Sequence, residues 1–260
     1  MTPATQPALS SNAASLRASL PPWLLVLFAV LAVVMFAFPQ IDLAASRVLT
    51  DASGTFPLQH DRVLLVINRS ITWASRVAGL VLLVLTLGAW LPRVAPRALQ
   101  RRRCAILFLF VALALGPGLL VNSLIKENSG RARPVNVTEF GGESRFTRAW
   151  VPADQCRRNC AFVSGHVAVG AFLFAGWFVA GSARARRAWL GAGLAAGLTI
   201  GVGRMLAGSH FLSDVLVAMM LVWIVCALTA ALILRPAAVP EDVPGAVQDQ
   251  NNRNRNGVIP

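Results

Sequence analysis

Charge is what this chain has least of. Of its 260 residues only 13% are charged and 11 are acidic, while 56% are hydrophobic. That is too little charge to cover a soluble globule, so an ordinary water-soluble domain is excluded and a membrane protein is indicated. Lysine occurs once, as Lys126, among 24 lysines and arginines, and histidine three times. No glycine-rich nucleotide loop is present: Gly191-Ala-Gly193 lies within a small-residue helix, where glycine and alanine serve close helix packing. No convincing internal repeat is visible.

What the chain does have is apolar runs. Crossing roughly 30 Å of hydrocarbon takes about 20 residues, and six stretches qualify: Pro22–Phe38, Ile71–Leu91, Cys104–Ile125, Ala161–Gly181, Trp189–Ala207 and Phe211–Leu234. The first is too long for a signal-peptide core, lacks a small-residue cleavage site at Pro39-Gln-Ile, and is preceded only by Arg17. The expected fold is all-α: one bundle of six transmembrane helices over residues 21–235, with a long outer loop between helices three and four. Residues 1–20 and 236–260 are too polar to bury a core and are read as disordered tails.

The links set an orientation. Leu91 to Cys104 holds Arg93, Arg97, Arg101, Arg102 and Arg103, and Ser182 to Ala188 holds Arg184, Arg186 and Arg187. Short basic loops face the cytoplasm, which puts both termini inside and the 126–160 loop on the outer face. That outer loop carries seven cations of its own, so the two sides nearly balance; its acids and a competing role for its cations favour the N-inside arrangement. The net charge of +13 fits anionic-lipid attraction better than nucleic-acid binding, because the arginines are spread over loops between apolar spans.

Four cysteines divide into two pairs. Cys104 and Cys226 fall in apolar helices as small core residues. Cys156 and Cys160 lie in the outer loop, where a disulfide or half of a metal site are the alternatives. No second Cys/His pair stands nearby, which favours the disulfide.

Three segments at helix ends concentrate the scarce residues: Lys126 to Arg133-Pro134, Ser164-Gly165-His166, and Arg204 to His210 to Asp214. Lys126, Arg133 and Arg204 can clamp the oxygens of a phosphoryl group, whose transfer spreads negative charge over equatorial oxygens. Arginine supplies a planar fork and lysine a point charge. His210 and Asp214, four apart, share a helix face, so the carboxylate can accept an imidazole N–H and leave the other ring nitrogen free to attack phosphorus. His166, just inside a helix start, can protonate the departing alkoxide and then activate water; Gly165 permits close backbone approach there. No cofactor or metal is required. Any one of these cations alone reads equally well as an interfacial anchor. An acid a turn inside an apolar helix, as at Asp214, is costly unless paired. Arg76, inside the second span with no motif around it, reads as structural or lipid-facing, with pocket lining the alternative; His60 reads as structural.

Taken together, Lys-x6-Arg-Pro, Ser-Gly-His and Arg-x5-His-x3-Asp resemble the three signature motifs of the type 2 phosphatidic acid phosphatase superfamily, which includes membrane lipid phosphatases and soluble vanadium haloperoxidases. The motif resemblance covers Lys126 to Asp214. It implies phosphate binding by Lys126, Arg133, Arg204, Ser164 and the Gly165 backbone, a His166 acid, a His210 nucleophile passing through phosphohistidine, and an orienting Asp214. Val163 stands where the family commonly has proline, and Gly203 where it commonly has serine.

Glu139-Phe-Gly-Gly and Phe146-Thr147 are similar to bacterial phosphatases of the lipid A type. The implied substrate is a membrane lipid phosphomonoester or pyrophosphate, with lipid A-like phosphates ranked first. The alternatives are phosphatidylglycerophosphate or undecaprenyl pyrophosphate as substrate, a lipid-to-lipid phosphotransferase, and a non-catalytic anion or lipid transporter. The sequence does not specify an oligomeric state.

Overall fold

The computed structural model describes residues 22–91 and 95–234. Both tails and Arg93 lie outside the described residues. The regular structure of the described residues is helical, with an isolated bridge between Val137 and Ser144 as the only extended pairing among them.

Four helices are long and apolar enough to cross a membrane: α3 (Arg62–Ala89), α5 (Arg103–Asn128), α7 (Ala183–Leu206) and α8 (Leu212–Ile233). A fifth span is available if α1 (Pro22–Ala37) and α2 (Gln40–Val48) count as one, though the chain turns through 90° between them. The turn falls at Pro39, which lacks the N–H that would continue the α1 ladder. The stretch expected as span four is a shorter helix, α6 (Gly165–Val179). It contains a 3-10 turn at Phe172–Phe174. A five-residue helix, α4 (Arg97–Arg101), lies in the basic link before α5.

Helix α8 is the hub, packing on α1, α2, α5, α6 and α7. Its Trp223 is fully buried in an aromatic nest, with Phe174, Phe178 and Trp177 ring centroids 5.2, 5.5 and 5.9 Å away. Glycine lets α7 approach closely: a Cβ at Gly201 would sit 2.5 Å from Val215 and one at Gly197 3.0 Å from Met219. Helix α3 is peripheral, its apolar side chains largely facing outward while it packs on α5 and α6. Outward-facing leucines and valines are what a lipid-facing helix requires.

The second half of α5, Ala114–Ile125, is wound as a π-helix around Pro117. Proline cannot donate into an α-helical ladder, and wider winding is one way to absorb it. Side chains follow the same five-residue step: Asn122 Nδ2 donates to the Pro117 carbonyl at 2.6 Å and Ser123 Oγ to that of Gly118 at 3.3 Å. This winding sets where Asn122 and Lys126 emerge.

Candidate active site

Backbone bonds stitch the three motif segments together at one end of the bundle. Ala161 N–H donates to the Arg131 carbonyl at 2.9 Å, Cys160 N–H to that of Lys126 at 3.3 Å, Ser164 N–H to that of Asp214 at 3.2 Å, and Val135 N–H to that of Gly208 at 3.0 Å. The 126–164 loop is therefore folded back onto the ends of α5 and α8. Cys156 and Cys160 stand at bonding distance within it, their Cα atoms 5.6 Å apart. Gly165 begins α6 against α5, where a Cβ would lie 2.1 Å from Asn122 Oδ1, so no larger residue fits.

The ionisable groups share one region. Lys126 and Arg204 are buried, and the charges of Arg133, Arg204 and Asp214 all act on Lys126. Arg133 is half-buried, donates to the Asn159 carbonyl at 2.9 Å, and has its guanidinium pKa lowered by burial. His166 feels Arg204, Lys126 and His210. A cavity of about 360 Å3 opens beside Lys126, Gly165 and His166 and is also bordered by Thr72, Arg76 and Asn122.

Both histidine tautomers follow from their partners. His210 is fully buried, and its Nδ1 lies 2.7 Å from the Ala161 carbonyl, which can only accept. Nδ1 therefore carries the hydrogen and Nε2 the lone pair. Burial pushes the His210 pKa down to about 4, against the opposing influence of Asp214, so the imidazole is neutral near pH 7. His166 Nε2 lies 3.1 Å from the Asn68 carbonyl and 3.3 Å from Thr72 Oγ1, which leaves Nδ1 as its unengaged nitrogen.

Asp214 is placed differently from a simple His–Asp dyad. It sits 3.6 Å from His210 Nδ1, while the nearer acceptor for that hydrogen is Ala161. Asp214 Oδ2 accepts the Phe211 N–H at 2.7 Å, capping α8, and Oδ1 meets Arg131 Nη1 at 2.5 Å. Arg131, only 1% exposed, also reaches Asp42 on α2 at 2.7 Å, Ser213 Oγ at 2.8 Å and the Thr147 carbonyl at 2.8 Å. Asp42 in turn accepts the Ser213 N–H at 2.8 Å and hydroxyl at 2.6 Å. The guanidinium lies over the Phe211 ring, 4.4 Å from its centroid.

Arg131 and Asp42 are the residues that sequence reasoning missed. Arg131 was visible as a loop cation two places before Arg133, and Asp42 as an acid directly following an apolar run. Asp42 carried the signal that a charge bordering apolar residues needs a partner, whereas Arg131, in the polar stretch Asn128-Ser-Gly-Arg131-Ala-Arg133, carried none.

The partner-poor atoms tell the complementary story. Among the described residues, the buried side-chain atoms without a hydrogen-bond partner include Ser164 Oγ, His166 Nδ1, Arg204 Nε and His210 Nε2. Buried polar atoms are ordinarily satisfied, and four of the nine exceptions among the described residues fall on two of the motif segments, a set that a polar ligand can fill. Among the described residues, no group of three or more His, Cys, Asp and Glu is arranged to hold a metal ion.

The PAP2 superfamily model matches residues 105–236, just over half of the chain. The chain belongs to the PAP2 superfamily. Relatives include the lipid A 4'-phosphatase of Francisella tularensis subsp. novicida (strain U112), 38% identical over 133 residues, covering 51% of this chain and 60% of that protein. The lipid A 4'-phosphatase of Rhizobium leguminosarum is 39% identical over 104 residues, 40% of this chain and 44% of the relative. That of Rhizobium etli (strain ATCC 51251 / DSM 11541 / JCM 21823 / NBRC 15573 / CFN 42) is 49% identical over 63 residues, 24% of each. This chain thus spans between about a quarter and 60% of the curated relatives it matches. No solved structure matches it.

The PAP2 match contains Lys126 to Asp214 but not Asp42, Asn68 or Thr72. Contacts to Asp214, through Arg131, and to His166 therefore come from helices outside the matched segment. At Gly203 a Cβ would come within 3.2 Å of Leu64 Cδ1. A serine there would need Leu64 to give way.

Proposed function

We propose that the protein is a membrane lipid phosphatase, hydrolysing a phosphomonoester or pyrophosphate of a lipid, with a lipid A-like phosphate favoured. The observation that carries this reading is the set of buried, unpartnered atoms on Ser164, His166, Arg204 and His210 beside the Lys126 ammonium. The likeness to three lipid A 4'-phosphatases supports the choice of lipid.

In this mechanism Lys126, Arg133 and Arg204 hold the phosphoryl oxygens, assisted by Ser164 Oγ and the Gly165 N–H. The His210 Nε2 lone pair attacks phosphorus; the bond from phosphorus to the lipid oxygen breaks, and the departing oxygen takes the Nδ1 proton of a His166 imidazolium, which leaves that ring neutral. Water then attacks the phosphohistidine phosphorus as His166 removes its proton, releasing inorganic phosphate and restoring Nε2. Arg131, tethered by Asp42, fixes Asp214, whose charge stabilises the cationic phosphohistidine. The steps use protein groups alone. The catalytic end faces the periplasm, the termini are cytoplasmic, and residues 21–235 form one domain with α1–α2 and α6 completing six spans. A Cys156–Cys160 disulfide stiffens the loop leading into His166.

The test uses purified protein in detergent with EDTA present. Lipid A, phosphatidylglycerophosphate, phosphatidic acid and undecaprenyl pyrophosphate are compared side by side, with vanadate as inhibitor. Phosphate release from lipid A ahead of the others, blocked by vanadate, is expected. Loss of activity on adding EDTA, or full activity in His210→Ala, would overturn the mechanism; phosphate appearing on a second lipid instead of in solution would make the protein a phosphotransferase.

A further inference from the structure

The cavity beside Lys126 and His166 does not end at that histidine. It shares Ser75, Arg76, Asn122 and Val169 with a second groove of about 230 Å3 between α3 and the π-wound part of α5, whose remaining lining includes Gly79, Leu113 and Pro117. The two form a graded path. Thr72 marks the level of His166 on α3. Arg76 is four residues further into α3 than Thr72, about 6 Å at 1.5 Å per residue, and Asn122 lies four residues before Lys126 in the π-wound part of α5. Beyond them the walls are apolar.

Arg76 is the unusual element of this path. It stands near the middle of a 28-residue apolar helix, its guanidinium 5.3 Å from the Trp73 ring centroid. Among the described residues no carboxylate pairs with it. A cation at such depth is costly without a partner and commonly marks a ligand path. Cation, then polar junction, then apolar groove is also the order of groups in an acylated phosphate: phosphate, carbonyl oxygen, hydrocarbon chain.

Resting on the lipid phosphatase reading, we propose that Arg76 binds the carbonyl oxygen of the substrate's acyl linkage while the groove between α3 and α5 holds that acyl chain. Asn122 joins the two chambers, because its side chain borders both and is fixed by the Pro117 carbonyl. The π-winding thus has a use: it places Asn122, held against Gly165 of α6, where its side chain also borders both chambers. Arg76 makes the site select acylated phosphates over bare ones, since the phosphate clamp alone cannot tell them apart.

The test compares lipid A with 4-nitrophenyl phosphate, which carries no chain, in wild type, Arg76→Gln and Gly79→Leu. Gly79 borders the groove, where its Cβ would lie 4.0 Å from Leu113, so leucine fills the space without touching the phosphate clamp. Both variants should raise KM for lipid A about tenfold, for Arg76→Gln the scale of one charge-assisted hydrogen bond, and lower kcat/KM more for lipid A than for 4-nitrophenyl phosphate, which Gly79→Leu, outside the phosphate cavity, should leave within about twofold. Equal loss on both substrates, or no loss on either, would overturn the proposal. A second arm is independent of turnover: His210→Ala protein is photolysed with a lipid A bearing a diazirine in its acyl chain. Labelling of the segment from Phe110 to Gly118, reduced by Arg76→Gln, is the expected result, and labelling elsewhere overturns it. If wild type hydrolyses neither phosphate while the labelling succeeds, the catalytic reading fails and the lipid site stands.

Discussion

Two polar clusters meet at Asp214 and His210, and they are built in opposite ways. Around Arg131 nearly every donor is used: guanidinium nitrogens reach Asp42, Asp214, Ser213 and the Thr147 carbonyl, and Phe211 covers the face. Around Lys126 the cations repel one another, and Arg204 Nε, Ser164 Oγ and His210 Nε2 have no partner among the described residues. A saturated cluster lowers its energy in the folded chain alone; an unsatisfied one does so only when something arrives. The difference separates scaffold from seat within a few side chains. It also sets a charge balance, since two carboxylates face one guanidinium and leave negative charge beside His210.

Substitutions should split accordingly. The largest effect belongs to His210→Ala, which should cut phosphate release by about 10⁴-fold or more while the unfolding midpoint in detergent shifts little. A large midpoint shift would show that His210 belongs to the scaffold. Next comes Arg131→Met, which leaves two buried carboxylates without their cation. It should cost about 3–5 kcal/mol of stability and remove activity with it, read by denaturant unfolding and turnover on the same preparation. Unaltered stability would mean that the saturated cluster is not structural.

Arg204→Met should behave in the opposite sense. Activity drops about 10²–10³-fold for one lost contact to the developing charge, yet the midpoint holds or rises because mutual repulsion is relieved. A smaller change is expected for Asp42→Asn, which keeps the shape of the Arg131 cluster and removes one negative charge. A kcat lowered about tenfold at constant KM would place Asp42 on the side of the phosphohistidine, whereas a rise in KM alone would detach it from the chemistry.

The two clusters were unequally legible in the sequence. The seat was readable because its residues are rare here and lie in three compact motifs: Lys126 is the only lysine, and His166 and His210 are two of three histidines. The scaffold was not, because its contacts are long-range. Asp42 meets Arg131 across 89 positions and His166 meets Asn68 across 98, and no local pattern encodes such pairings. The apolar runs located helices near their observed places, with α8 beginning at Leu212 and α5 ending at Asn128. Hydropathy could not show the 90° turn at Pro39, the brevity of α6 or the π-winding at Pro117, since each depends on backbone geometry rather than on composition.

The smallest effect concerns protons, and it measures how well the scaffold keeps the seat dry. An imidazole with the ordinary pKa of about 6.5 would lose roughly nine-tenths of its neutral form at pH 5.5. Burial pushes His210 down to about 4, so its Nε2 lone pair should survive there almost intact. The stability consequence has a definite sign. Because the folded protein disfavours the proton relative to the unfolded chain, the contribution of neutral His210 is fully present above about pH 6.5 and is lost as the pH falls toward about 4. NMR of the histidine-labelled protein, with His60 and His166 replaced by glutamine, reads the remaining ring directly. A midpoint near 6.5 would mean that water reaches His210 and that Arg131, Asp42 and the folded-back loop do not seal it. A midpoint well below 6.5 would show that burial beneath the folded-back loop outweighs the opposing charge of Asp214 and keeps the nucleophile dry.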